Sequence, residues 1–551
     1  MNITSSKAFT AISLIIAGCL QTLSLAPFDY WILGPLSIAL ILWVTNALEP
    51  NASNINTSKL NTSKLDTSNP TTTIPNNDKT QKQKGFLFGW LFGLGLFGSG
   101  ASWVYVSINT YGNAPPPLAA ALTLFFVAGL ALFSALVFWL HFKLKTKHRL
   151  ANSLLFLALW VLGDGFRTIF LTGFPWLFLG YGHLESPLAG WIPLIGVHGI
   201  SLLVVATGIV LALLINKTSA ISKTSAVSKS SNKLKLATSA FILIIWVVST
   251  PLNKISWSTE IKPPLSVALL QTNIPQEEKW KASQRKKTLL LLDKMTSKQW
   301  QDDSHHTDLI IWPETAVPLL YDQALPFLNK MSERATANGS NIISGIPFRR
   351  YDKETNSQIL HNSIASIGKG DGVYHKQKLV PFGEYVPLQD ILRGLIDFFN
   401  LPMSNFRRGA SEQPLLKSFD NQVAPFICYE VVYPDFVASR AKDADYLLTI
   451  SNDSWFGQSI GPLQHLEMAQ MRAAENSRYM IRGTNNGISA IIDEKGILLD
   501  QSEQFVRTVL ESEVKILSGR TPFSYVGSLP VFLLCGLYLL VHLIRLKKQT
   551  S

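Results

Sequence analysis

Seven apolar runs crowd the first half of this chain and an eighth lies close to its end: residues 9–25, 31–48, 86–107, 118–142, 154–172, 192–215, 236–250 and 526–546. A run of about 20 apolar residues can cross the hydrocarbon core of a bilayer as a helix, which satisfies every backbone N–H and C=O internally. The runs therefore predict a membrane α-helical bundle of about eight spans, the seventh of them short. Composition agrees, since the chain is 47% hydrophobic and only 16% charged, with a mean hydropathy of +0.20. The Pro- and Gly-rich stretch 173–190 reads as a re-entrant or interfacial loop, with Trp176, Phe178, Tyr181 and His183 suited to headgroup depth.

Charge fixes an orientation. Eight spans place loops 49–85, 143–149 ("KLKTKHR") and 216–235 on the same side as both termini, and the tail "RLKKQTS" joins them. Lysine and arginine gather there and are nearly missing from the opposite loops, so both termini are expected in the cytoplasm. The formal net charge of +12 thus reports membrane topology and not a nucleic-acid partner. Two basic loops are of low complexity, "NTSKLNTSKLDTS" and "ISKTSAVSKSS", and read as solvated linkers. The tetrapeptide "IAGC", ending at Cys19, looks like a lipoprotein signal-peptidase site, but losing the first run would break the even count, so an uncleaved span is expected. The other cysteines are Cys428 and Cys535, which suggests neither a disulfide framework nor a metal cluster.

This division predicts three parts: a membrane region at 1–252, a soluble-looking domain at 253–525 outside the cytoplasm, and a final span with its basic tail at 526–551. Within the middle part, "LSVALLQTN", "DLIIWPE", "SNIISGIPF", "NSIASIG", "QVAPFICYE" and "DYLLTISND" read as strands. Most are continuously apolar, as in strands buried on both faces of a layered α/β domain. Residues 284–301 and 462–479 read as helices.

Strand ends in this domain carry polar residues. Glu314 follows Trp312 and Pro313 at the exit of one strand, Lys376 and Lys378 stand in "YHKQKLVPFGEYVP" before Glu384, and Cys428 ends "PFIC". Singly, each has an ordinary explanation: a capping glutamate, solvated lysines, a small buried cysteine. Together they hold what thiol chemistry needs: a base, a positive group for an oxyanion, and a nucleophile.

The segments "IIWPET", "YHKQKLVPFGE" and "FICYE" resemble the nitrilase superfamily, whose Glu–Lys–Cys triad occurs in that chain order. The resemblance implies an α-β-β-α sandwich and assigns catalysis to Glu314, Lys376 and Cys428, leaving Lys378 a structural or surface role. With eight spans, and with "QTNIPQEEKW", "WPETAVP", "LVPFGEYVP", "CYE" and "SNDSWFG", the whole chain resembles the apolipoprotein N-acyltransferase family of bacterial inner-membrane enzymes.

That resemblance implies transfer of an acyl chain from a phospholipid, through a cysteine thioester, to the N-terminal amine of a diacylglyceryl-apolipoprotein. It requires no cofactor and no metal, and it places the catalytic domain on the periplasmic side. Glu384 and Glu430 would orient Lys376 and the thiol, Trp280 and Tyr429 would shape a lipid-facing pocket, and Asn452 and Trp455 would brace the site. Arg407 and Arg408 in "FRRG" suit phosphate headgroups, or else form a solvated pair. One alternative is a membrane-tethered amidase that transfers the acyl group to water, although a tether needs only one span. The other is a transporter, for which Asp164 and Arg167 would be the main intramembrane charges.

Overall fold

A computed structural model describes residues 7–47, 77–215, 225–301, 306–352, 356–385 and 406–550. The low-complexity repeat near residue 60 and much of the 216–235 loop lie outside the described residues. Long helices come first: α1 (Lys7–Leu23), α2 (Leu33–Ala47), α3 (Asn77–Gly100), α4 (Pro116–Leu144), α5 (Arg149–Ile169), α6 (Ile192–Ile215) and α7 (Ser225–Leu252). Among the described residues, five helices are long and apolar enough to cross a membrane, the last of them Leu529–Gln549 near the C-terminus. The number becomes six if Gln81–Gly100 and Val104–Tyr111, bent by 63°, count as one span, while Lys7–Leu23 and Leu33–Thr45 are apolar but shorter. The bend falls at the turn 101–103 between the two pieces, and the second piece ends in a π-helical turn at Ser107–Tyr111.

Both α3 and α7 begin inside loops expected to be linkers, because polar helix formers extend each helix beyond its apolar run. Segment 173–190 also departs from expectation. Trp176, Phe178, Tyr181 and His183 are all buried in protein instead of facing headgroups, since the segment is roofed by the domain that follows.

That domain holds two sheets. The six-stranded one has the order β13-β1-β2-β3-β4-β6, built from β1 (Ser258–Gln271), β2 (Leu309–Trp312), β3 (Asn341–Asp352), β4 (Ser357–Gly368), β6 (Val373–His375) and β13 (Thr508–Gly519). The seven-stranded one has the order β12-β11-β10-β9-β8-β7-β5: β5 (Gly370–Asp371), β7 (Leu416–Ser418), β8 (Asn421–Ile427), β9 (Tyr446–Ser451), β10 (Met480–Thr484), β11 (Ala490–Ile492) and β12 (Leu498–Gln501). The expected strand segments form β1, β2, β3, β4, β8 and β9. Strand β10 escaped expectation because Arg482 interrupts its apolar run, buried and paired with Asp453. First and last strands pair antiparallel, Ser258 opposite Gly519, so both ends of the domain lead back to the membrane helices.

Leu269, Ile311 and Ile343 of one sheet pack against Leu448, Ile450 and Ile481 of the other. Outside the first sheet lie α8 (Ala282–Lys298) and α9 (Tyr321–Ala337), through Leu292, Leu328 and Met331. Outside the second lie α10 (Pro434–Ala441) and α11 (Gly461–Asn476), completing a four-layered α-β-β-α sandwich. The helix layer over the second sheet shares one apolar cluster with the membrane helices, from Leu14 and Phe97 through Tyr181 to Leu466 and Phe426. A closing helix, α12 (Leu529–Thr550), packs on α5.

Candidate active site

Strands β2, β6 and β8 deliver Glu314, Lys376 and Cys428, the first two at one sheet's ends and the third at the facing end of the other. Pro313 keeps the end of β2 extended, and Thr315 then takes a left-handed φ of 45°. Cys428 itself has φ 52°, where β8 turns into the short helix Cys428–Val432. A non-glycine residue in that region costs roughly 1–3 kcal/mol and persists only where surrounding structure enforces it.

Glu314 is buried and its carboxylate is held from both sides. Oε1 accepts from Asn362 Nδ2 at 2.8 Å and Oε2 from the Asn452 N–H at 2.8 Å. Lys376 Nζ lies 4.0 Å from Glu314 Oε1 and 2.8 Å from Glu384 Oε2. Asn362 spends its other N–H on Glu384 Oε1 at 3.0 Å, so one amide spans both carboxylates. Burial raises the Glu314 pKa, and the Glu384 charge adds to that against the pull of Lys376. Burial disfavours the Lys376 ammonium, but Glu384 and Glu314 more than offset it and hold its pKa above the ordinary lysine range. The Cys428 thiol is pushed up to about 12, by burial first and then by the Glu314 charge, with Lys376 opposing. The resting thiol is therefore neutral and must lose its proton as it attacks.

Glu430 joins the segments that carry the lysine and the cysteine. Its Oε1 accepts from Tyr374 OH at 2.8 Å and from the N–H groups of Gln377 at 2.6 Å and Lys378 at 3.1 Å. Its Oε2 accepts from the Ile427 N–H at 2.8 Å. Lys378 turns away, its Nζ 5.5 Å from the centre of the Tyr433 ring.

Asn452 donates from Nδ2 to Gln276 Oε1 at 2.6 Å. Gln276 opens the helical turn Gln276–Lys279, and Lys279 Nζ, fully buried, donates to the Glu314 carbonyl at 2.8 Å. Trp280 follows this turn directly, half-buried, with its indole N–H buried.

The membrane half supplies the remaining walls. Tyr429 OH donates to the Gly173 carbonyl at 2.9 Å and its ring stacks on Trp176 at 6.4 Å. Tyr433 OH donates to the Thr172 carbonyl at 2.8 Å. The Trp455 carbonyl accepts from Ser107 OH at 2.6 Å, and its ring meets Tyr111 edge-on at 5.2 Å. Arg408, expected to be solvated or to face headgroups, donates to Thr172 Oγ1 at 3.1 Å while remaining exposed. Asp164 and Arg167 pair with each other at 2.9 Å, and Arg167 also holds the Trp176 carbonyl at 2.7 Å. They brace the roof of the bundle.

Glu314, Lys376, Cys428, Glu384, Glu430, Tyr429, Asn452 and Trp455 thus meet at this junction or hold groups that do, while among the described residues no side-chain hydrogen bond or ring contact ties Trp280 to it. Sequence reasoning missed Asn362, Lys279, Asp453 and His465. Asn362 and Asp453 left a signal, a polar side chain within an apolar strand or at its end, whereas Lys279 and His465 sit in polar helical segments where nothing distinguishes them.

A two-sheet sandwich with this Glu–Lys–Cys cluster at its strand ends, built onto apolar helices, defines a membrane protein of the carbon–nitrogen hydrolase class. The family model described as Carbon-nitrogen hydrolase matches residues 266–520, and the one described as Apolipoprotein N-acyltransferase N-terminal domain matches 17–210. The chain is 43% identical to an apolipoprotein N-acyltransferase of Pseudomonas syringae pv. tomato over 94% of its own length and 93% of that protein's. It is 36% identical to one from Photobacterium profundum over 97% and 95% of the two lengths. The chain belongs to the apolipoprotein N-acyltransferase family.

Proposed function

We propose that this protein moves an acyl chain from a phospholipid to the N-terminal amine of diacylglyceryl-cysteine in apolipoproteins, using Cys428 as the carrier. Glu314 takes the proton of the Cys428 thiol as sulfur attacks the ester carbonyl. Lys376 and backbone N–H groups near Cys428 stabilise the oxyanion. Collapse of the tetrahedral species breaks the C–O bond, the lysophospholipid oxygen takes the proton from Glu314, and a thioester remains. The lipoprotein amine then attacks, Glu314 accepts a proton from it, and that proton returns to the departing thiolate. One site used in turn suits two bulky lipids in a ping-pong scheme.

The observation that carries this reading is the seating of Tyr429, next to Cys428, against Gly173 and Trp176 of the membrane half. A water-using amidase needs no such seat. The shorter apolar helices α1 and α2, with the bent α3 segment, bring the span count to eight, with both termini in the cytoplasm and residues 253–525 on the periplasmic face of the inner membrane. Basic loops on one side support that placement.

Incubation with phospholipid, followed by intact-protein mass measurement, tests the scheme. Wild type should carry a hydroxylamine-labile acyl adduct and Cys428→Ala none. An adduct that survives in the variant removes Cys428 from the reaction, and lysophospholipid release indifferent to an apolipoprotein acceptor favours hydrolysis.

A further inference from the structure

Cys428 is held through its main chain. Its carbonyl oxygen lies 3.2 Å from His465 Nε2. A carbonyl only accepts, so Nε2 carries a proton. His465 Nδ1 stands 3.2 Å from Asp453 Oδ1 and 3.2 Å from Arg482 Nη2, and Arg482 Nη2 donates to Asp453 Oδ2 at 2.7 Å. Nδ1 either accepts from Arg482 in a neutral ring or donates to Asp453 in a charged one, and Nε2–H points at the Cys428 carbonyl in both. Asp453 Oδ1 also accepts from Ser451 OH at 2.5 Å. Ser451, Asp453, His465 and Arg482 are all at most 1% exposed, and together they form one buried cluster that reaches Cys428 through His465.

The peptide after Cys428 is planar and trans, so its C=O and N–H point in opposite directions. Fixing the carbonyl on His465 turns the Tyr429 N–H to the other side of the peptide. We infer that His465 is a positioning residue for acyl transfer: it anchors the Cys428–Tyr429 peptide so that the Tyr429 N–H joins Lys376 as an oxyanion donor. The inference rests on the acyl-transfer reading above. It also gives the left-handed φ of Cys428 a cause, since the strained turn is pinned at its carbonyl by a buried, charge-backed donor.

Two rates on the full-length enzyme separate this role from general support. Single-turnover acylation by phospholipid builds an oxyanion, whereas alkylation of Cys428 by iodoacetamide does not. His465→Gln can place an amide N–H near the Nε2 position, while His465→Asn reaches only as far as Nδ1. Loss of one oxyanion donor costs about 100- to 1,000-fold. His465→Asn should therefore slow acylation about 100-fold and leave the alkylation rate and its pH profile within about twofold of wild type. His465→Gln should recover acylation to within about tenfold. Equal acylation by the two variants, or alkylation slowed as much as acylation, overturns the positioning role. Wild type that is alkylated at Cys428 yet never acylated by phospholipid would instead sink the underlying acyl-transfer reading.

Discussion

Lys376 is flanked by two carboxylates, and they are not equivalent. Glu384 lies 2.8 Å from its ammonium and Glu314 4.0 Å away, so Glu384 is the standing counterion and, in the proposed scheme, Glu314 is the carboxylate that exchanges protons with Cys428. Glu314→Gln should cut acylation by about 100- to 10,000-fold, the usual worth of a general base. Glu384→Gln makes a sharper prediction, because the Glu384 charge raises the pKa of both neighbours. Without it the Glu314 pKa falls, so ionised base appears at lower pH. The Lys376 pKa falls too, because burial is then opposed by one carboxylate instead of two, and the protonated oxyanion donor is lost at lower pH. Both limbs of the kcat/KM profile should move to lower pH together, and limbs that stay in place would remove Glu384 from the site's electrostatics. Glu314, Lys376 and Cys428 were legible in the sequence because each stands in a short motif at the end of an apolar strand, and Glu384, which lies in a turn, only through the family resemblance. Asn362, which spans the two carboxylates, was not, because register across β3 and β4 decides which strand residues meet.

Helix α11 shows what a pattern of residue types conceals at the level of an element. "GPLQHLEMAQMRAAEN" reads simply as a helix, yet its charged residues are buried. Gln464 Oε1 accepts from Trp176 Nε1 at 2.7 Å and Trp103 Nε1 at 3.2 Å, and Glu467 Oε1 accepts from the Ala26 N–H at 3.1 Å. Glu475 pairs with Arg472 at 2.8 Å, both fully buried, and its Oε1 accepts from the Val197 N–H at 2.8 Å. Gly196, with φ 61°, breaks α6 at that point, and the carboxylate satisfies the N–H that the break frees. Sequence patterning missed this because a polar face buried against another part of the chain has the same period as one facing water. Glu475→Ala leaves Arg472 buried without its partner and Val197 without an acceptor. It should destabilise the protein by roughly 3–5 kcal/mol, and Glu475→Gln by less because the acceptor survives. Thermal unfolding in detergent reads the order, and an unchanged Tm for Glu475→Ala would show that α11 is not pinned through this pair.

At the scale of the whole molecule, the sequence divides cleanly into membrane-type and soluble-type composition, and that contrast suggests two independent units. The packing disagrees. Phe426 and Leu447 of the seven-stranded sheet, Leu466 and Met468 of α11, and Tyr181, Val204 and Phe97 of the membrane half belong to one apolar cluster. The six-stranded sheet is covered on its outer side by α8 and α9 of its own domain. The other sheet's outer helices depend on α6 and segment 173–190 to cover their far side. Composition could not reveal this, since the buried face belongs to a helix rich in polar residues. Residues 253–525 expressed alone should therefore expose the far side of α11, with Gln464 and Glu467 stripped of their partners, Glu475 keeping Arg472 but losing the Val197 N–H, and Leu466 and Met468 left bare. Such a surface, apolar patches around unsatisfied polar groups, promotes association. The fragment should be recovered aggregated or bound to detergent micelles, and co-expression with residues 1–252 should return it to a one-to-one complex. Sedimentation and size exclusion distinguish these states. A soluble monomer that unfolds cooperatively without detergent would show that the sandwich is complete on its own and that the membrane helices merely hold it.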